Sequence, residues 1–202
     1  MNRISLIVVT LVGILTTTSC TEAGHPEKSS GIRQLDDNGA RLPFSTSFEH
    51  RWSSANDGTP YEPCNGISAS QLSTLGIDRT SVRDAAGTDG QTARGCRWTS
   101  IHNSTEGHWL WNQTVSNSAG IQEEVRRRSG VDDVWLDKVT IGDRRVALHT
   151  YSSGEFCSAY VESRKAIVIT AVSHNGATTA SVPELCERAI AFTKATIGRM
   201  PE

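Results

Sequence analysis

The chain has no apolar run long enough to cross a bilayer, no basic stripe, and none of the short patterns that mark common catalytic or metal sites. Its main apolar stretch, Ile4–Leu15, is about twelve residues long, where a membrane span needs about 20. Lys+Arg number 20 against 22 Asp+Glu, a net charge of −2. A nucleic-acid partner would want a basic face. The one basic run, Arg126, Arg127 and Arg128, falls at a predicted helix end and reads as a solvated surface. No C-x-x-C occurs, so neither a thioredoxin-type motif nor a zinc knuckle is offered. G-x-S-x-G, G-x-x-x-x-G-K-[ST], H-E-x-x-H and the EF-hand loop are absent too. The sequence therefore names no reaction, and it implies no cofactor and no nucleic-acid partner. The expectation is a non-enzyme, with an unrecognised hydrolase as the lesser alternative.

What is present begins at the N-terminus. Arg3 and the apolar stretch behind it have the form of a secretory signal, followed by small residues before a cut. Residues 1–19 are therefore read as a signal peptide. Their removal takes away one Lys+Arg and no acid, so the net charge moves from −2 to −3. A cut before Cys20 resembles a bacterial lipoprotein box. Ser19 fits the small residue before the cysteine, while Thr17 stands where an aliphatic residue is usual. Lipidation at Cys20 would hold the chain to the outer face of the cell membrane; a plain cut elsewhere in the Thr run would leave it secreted.

The chain has five cysteines. With Cys20 set aside for lipid, Cys64, Cys96, Cys157 and Cys186 remain, an even set that allows three pairings. Residues 20–60 are polar, without a sustained period, and read as a lipidated, largely disordered tether. Phe44, Phe48 and Trp52, spaced by four, are its exception: a short docking element or an exposed apolar patch.

Residues 61–202 read as a folded domain. Ser68 and Gln71 make a capping box for a short helix that stops at Gly76. A Gly-rich loop follows. "CRWTSI" and "HWLWNQTV" read as two strands, with Trp109, Trp111, Gln113 and Val115 on one side of the second. "SNSAGIQEEVRRRSG" reads as a helix whose charge order suits its dipole. Four successive strands follow, with "AIVIT" the most apolar and the expected centre of the sheet. Ser181, Pro183 and Glu184 open a last helix that Gly198 ends.

This order argues an α+β fold: a single twisted, mainly antiparallel sheet with helices packed on it, and two disulfides. The layout favours Cys157–Cys186, stapling the last helix to a late strand, and Cys64–Cys96, closing the other end. Each bridge would close a loop of about 30 residues, worth roughly 3–4 kcal/mol in the chain-entropy picture.

Pro63-Cys64, Cys96-Arg97-Trp98, Gly142 to Val146, Cys157 and "PELCERAIAF" around Cys186 together resemble an actinobacterial family of exported lipoproteins, domain of unknown function 3558. The resemblance covers about residues 61–200. It implies an envelope lipoprotein and implies no activity, because none is assigned to the family as a whole.

Side chains that could carry chemistry are few. His102, Glu106 and His108 lie close in sequence on a predicted turn, where an exposed hairpin tip is the plainer reading, since a metal site needs three or four convergent ligands. Asp132, Asp133 and Asp137 read as a solvated loop. His149 and His174 lie on strands, with no nucleophile brought to them by sequence. The tryptophans are the candidate binding residues: Trp109 and Trp111, with Trp135 behind them. They would line an aromatic groove for a lipid, glycan or peptide, or else fill the core. The expected function is a tethered, non-catalytic module that binds a small ligand or an envelope protein, or an accessory subunit of an envelope complex.

Overall fold

A computed structural model describes residues 31–101 and 107–202. The signal peptide, Cys20, the first part of the tether, and His102 and Glu106 lie outside the described residues.

Seven strands form one open sheet among the described residues: β1 (Arg83–Asp84), β2 (Arg94–Thr99), β3 (His108–Asn117), β4 (Asp133–Ile141), β5 (Arg144–Tyr151), β6 (Phe156–Ser163) and β7 (Ala166–Asn175). Their order is β1-β2-β3-β7-β6-β5-β4, and every neighbouring pair is antiparallel. The expected central strand is central: β7 carries "AIVIT" and lies fourth of the seven. Three α-helices accompany the sheet among the described residues, α1 (Ala69–Thr74), α2 (Ile121–Arg127) and α3 (Val182–Thr196). Both halves of the Ser68–Gln71 capping box form, and Ser181 Oγ accepts from the Glu184 amide. The short strand β1 was not anticipated; it sits where a Gly-rich loop was predicted.

Strand alternation splits the sheet into two unlike faces. On one, Trp98, Trp111, Val115, Cys157, Ala159, Val161, Val168 and Val172 pack with Leu185, Ala189 and Phe192 of α3. Trp98 and Phe192 meet with ring centroids 5.3 Å apart. The other face holds a smaller cluster in which Ile121 and Val125 of α2 cover Trp135, Ala147, Tyr160 and Ile167. The two disulfides are those expected. Cys64–Cys96 has its Cα atoms 5.2 Å apart and Cys157–Cys186 5.0 Å apart. The second ties α3 to β6, as the layout implied.

The expected domain start at residue 61 is corrected. The compact unit begins at Ile32, so residues 32–60 are not a free tether but a strap packed on the domain. Leu42, Arg51, Asn56 and Thr59 are buried within it. Of the three aromatics for which docking or an exposed patch was open, Phe44 and Trp52 pack against the main core, within a segment of turns and bends, while Phe48 is half-buried and joins neither core cluster. Trp52 lies between two guanidiniums, Arg33 at 4.2 Å and Arg51 at 4.6 Å. The strap's end is pinned to the sheet by its backbone. Gly58 N donates to Asn117 Oδ1 at 2.6 Å, and Lys165 N donates to Gly58 O at 3.1 Å. A Cβ at Gly58 would come within 2.6 Å of Lys165 O, so this close approach requires glycine.

Beneath the strap lies a buried charge cluster. Arg51 grips Glu62 with two parallel bonds of 2.9 Å and reaches Asp84 at 3.0 Å. Arg94 donates to the same Glu62 at 2.9 Å, and to the Tyr61 and Thr59 carbonyls at 2.8 Å each. The Arg51, Arg94 and Glu62 side chains are at most 1% exposed. The strap, the turn before Cys64 and strands β1 and β2 all meet at this one cluster.

Candidate functional site

The two tryptophans singled out on β3 face the same side, and their fates differ. Trp111 is 2% exposed, set beside Trp98 on β2 and Val172 on β7, under α3. Trp109, two residues nearer the strand's start, is only half-buried. Its indole lies between the His174 ring, 4.7 Å away on β7, and the Arg188 guanidinium, 3.8 Å above it on α3. A guanidinium over an indole face is attracted by the ring quadrupole.

Beside this stack a groove of about 330 Å³ runs between the end of α1 and the outer side of α3. Thr74 and Leu75 form one wall; Glu184, Glu187, Arg188 and Ala191 form the other; the buried Trp111 lies at the floor. Arg188 is thinly held. Its nearest carboxylate, Glu184, is 3.6 Å away, beyond a hydrogen bond, and its buried Nε–H has no hydrogen-bond partner among the described residues. The wall on α3 could have been found from sequence, because positions 184, 187, 188 and 191 recur at helical spacing. Charged residues at that spacing look the same on any solvated helix face, so the sequence alone does not set this wall apart.

Trp135 does not join this groove. It lies on the opposite face, its Nε1 donating to Arg128 O at 2.8 Å and its ring 4.8 Å from His149 and 5.1 Å from Tyr160. His149 is sealed among these rings with Tyr151 and Phe156. Its Nε2 lies 2.7 Å from Asp133 Oδ1, and its buried Nδ1 has no hydrogen-bond partner among the described residues. A histidine–carboxylate pair invites a hydrolytic reading, but such a mechanism needs a hydroxyl or thiol within hydrogen-bond reach of the ring, and none is there among the described residues. Burial pushes the Tyr160 hydroxyl up to about 12, so it stays neutral.

This pair sets a pH dependence. Burial holds the His149 ring below its ordinary value; the bond to Asp133 opposes this but is outweighed. The unfolded chain therefore binds the proton more readily. Stability is fully present above about pH 6.5 and falls as the pH drops below that. Asp133 adds to the same trend at lower pH: burial would raise its carboxyl, but the bonds from His149 and the Gly130 amide hold it below the usual range. The wild type should therefore lose more stability between about pH 7.5 and 5.5 than His149→Gln does. Urea unfolding midpoints of both proteins at the two pH values check this; parallel losses would refute it.

A larger hollow of about 440 Å³ lies where the β4–β5 turn meets the start of α2 and the C-terminus. Lys138, Arg144, Arg145 and Arg164 line it together with Asp143, Glu162 and Glu202. Its charges nearly cancel, and Arg144 is already committed to the Ile197 and Met200 carbonyls. It fixes the chain end and offers no distinct ligand chemistry. No three His, Cys, Asp or Glu side chains converge as metal ligands among the described residues. Nor does any described helix have the length and apolarity to cross a membrane.

The model of the family described as "Protein of unknown function (DUF3558)" matches residues 15–199. That match takes in the strap as well as the region whose motifs carried the resemblance. No curated protein and no solved structure matches the chain.

Proposed function

The chain belongs to this family of unknown function, and on that premise we propose that it is a cell-envelope lipoprotein, anchored through Cys20, whose domain is a non-catalytic binding module. The groove beside the Trp109–Arg188 stack carries this reading. It combines an apolar floor, a few convergent polar groups and a cation whose donors are uncommitted, which is the usual make-up of a small-ligand site. Export is supported by the short apolar run before Cys20 and by two disulfides, which persist in oxidising compartments. The accessory-subunit reading has less support, since what lies beside the Trp109–Arg188 stack is a groove and not a flat apolar face.

Two measurements test the proposal. Wild-type protein should sediment with membranes and take up labelled palmitate, while Cys20→Ser should appear in the medium unlabelled. If both are soluble and unacylated, the anchor is wrong. Capture from envelope extracts should then retain a component that Arg188→Ala loses. If retention is the same for both, binding does not run through the groove and the accessory role leads.

A further inference from the structure

The chemistry of the groove narrows its ligand. Resting on the binding-module reading, the geometry points to a neutral sugar, taken up between α1 and α3 with Arg188, Glu184 and Glu187 reading its hydroxyls.

Three features carry this. The first is a cation that is ion-paired but makes no hydrogen bond among the described residues. Arg188 stacks on Trp109 at 3.8 Å and ion-pairs with Glu184 at 3.6 Å without a hydrogen bond; its Nε is buried, which leaves the terminal amino groups to meet an incoming oxygen. A guanidinium presents its donors in a rigid planar fork and accepts nothing.

The second is the alternation of donors and acceptors. Glu184 and Glu187 stand one helical turn from each other and beside Arg188, all lining the same groove. The carboxylates accept only; the guanidinium donates only. A ligand that meets both must donate and accept at neighbouring positions. Adjacent hydroxyls on one ring do this without carrying charge.

The third is charge. With two carboxylates to one guanidinium, the groove is net negative and disfavours an anion. A cation would pair with the carboxylates but leave the Arg188 donors without an acceptor, whereas hydroxyls serve both. A zwitterion could satisfy all three groups, but only by bringing two more charges out of water, a greater cost than burying hydroxyls that are hydrogen-bonded. Leu75, Ala191 and the Trp111 floor complement the C–H face of a sugar ring.

The test uses the full-length purified protein. It is applied to an array of neutral and charged glycans, and the hits are titrated calorimetrically beside free amino acids and dipeptides. The expected result is saturable binding of neutral glycans with little response to uronic-acid or sulfated ones. Arg188→Ala should weaken binding at least tenfold, as for loss of hydrogen bonds to a charged group. Glu187→Gln should weaken it less. Arg188→Gln, which keeps the bulk and two donors, guards against a folding artefact, and thermal melts confirm that each variant is folded. No glycan binding by folded wild type, or glycan binding indifferent to Arg188, overturns the assignment. Binding of dipeptides alone, lost in Arg188→Ala, overturns the sugar class while leaving the binding module intact. No probe binding, together with Arg188-independent capture from envelope extracts, overturns both.

Discussion

Replacing Glu62 by Gln is expected to destabilise the protein by roughly 3–5 kcal/mol, the cost of breaking a buried ion pair and leaving its partner unmatched. Glu62 is the shared counter-ion of two guanidiniums. Arg51 meets it through two 2.9 Å bonds and Arg94 through one, with all three side chains at most 1% exposed. Arginine cannot shed its proton to escape the deficit. Asp84, at 3.0 Å from Arg51, compensates only one of the two. For a domain of this size the loss corresponds to roughly 6–20 °C in melting temperature. The strap should loosen first, because Arg51 belongs to it while Glu62 and Arg94 belong to the domain beneath. Hydrogen exchange should therefore show lost protection over residues 32–60 before the sheet opens. A second variant separates charge from packing. Glu62→Gln combined with Arg94→Met should be more stable than the two single losses added together, since the double change removes the unmatched charge as well as its partner. Additive losses, or a Glu62→Gln melting point within a degree or two of wild type, would show that the cluster does not hold the strap.

The same cluster marks the limit of what the sequence disclosed. The sheet and α3 were legible because their signals are local and periodic. β7 announces itself as the most apolar stretch of the domain, and α3 by Ser181, Pro183 and an inner face of Leu185, Cys186 and Ala189. Both disulfides followed from that layout. The strap gave no such signal. Its buried residues include Arg51, Asn56 and Thr59, types that ordinarily face water, and they are satisfied by groups far along the chain: Asp84, Gln91 and Ser163. A segment held by long-range polar contacts looks like a disordered one when composition alone is read. The candidate site was legible in part for the same reason. Trp109 and Trp111 share a strand face by simple alternation, but which of them is covered depends on where α3 crosses, and Arg188 enters the site only through that crossing. Trp135 was grouped with them by residue type, and the topology sends it to the other face.

The difference between the two tryptophans predicts a difference in what each holds up. Trp111 is 2% exposed, and Trp98 and Val172 are its partners on the neighbouring strands, beneath α3. Truncation to Ala would open a large cavity that a sheet under a disulfide-stapled helix has little freedom to collapse. The expected loss is roughly 3–5 kcal/mol, as for other buried aromatics. Trp109 is half-buried and its principal neighbours are a histidine and a guanidinium. Its removal forfeits a cation–π contact, about 0.5–2 kcal/mol, and some apolar cover, so its total loss should stay well below that of Trp111. Thermal melts of the two single variants make the comparison, and acrylamide quenching completes it. Trp109 is the more accessible of the two indoles, so Trp109→Ala should reduce the quenchable fraction of the emission, whereas a folded Trp111→Ala should keep it. Arg188→Ala should raise quenching by uncovering one face of Trp109, with a loss of stability no larger than the shared cation–π contact accounts for. If instead both tryptophan variants lose equally large amounts of stability and neither changes the quenching, the Trp109 indole is ordinary core, the groove beside it has no adaptable wall, and the role of an accessory subunit becomes the better account of the domain.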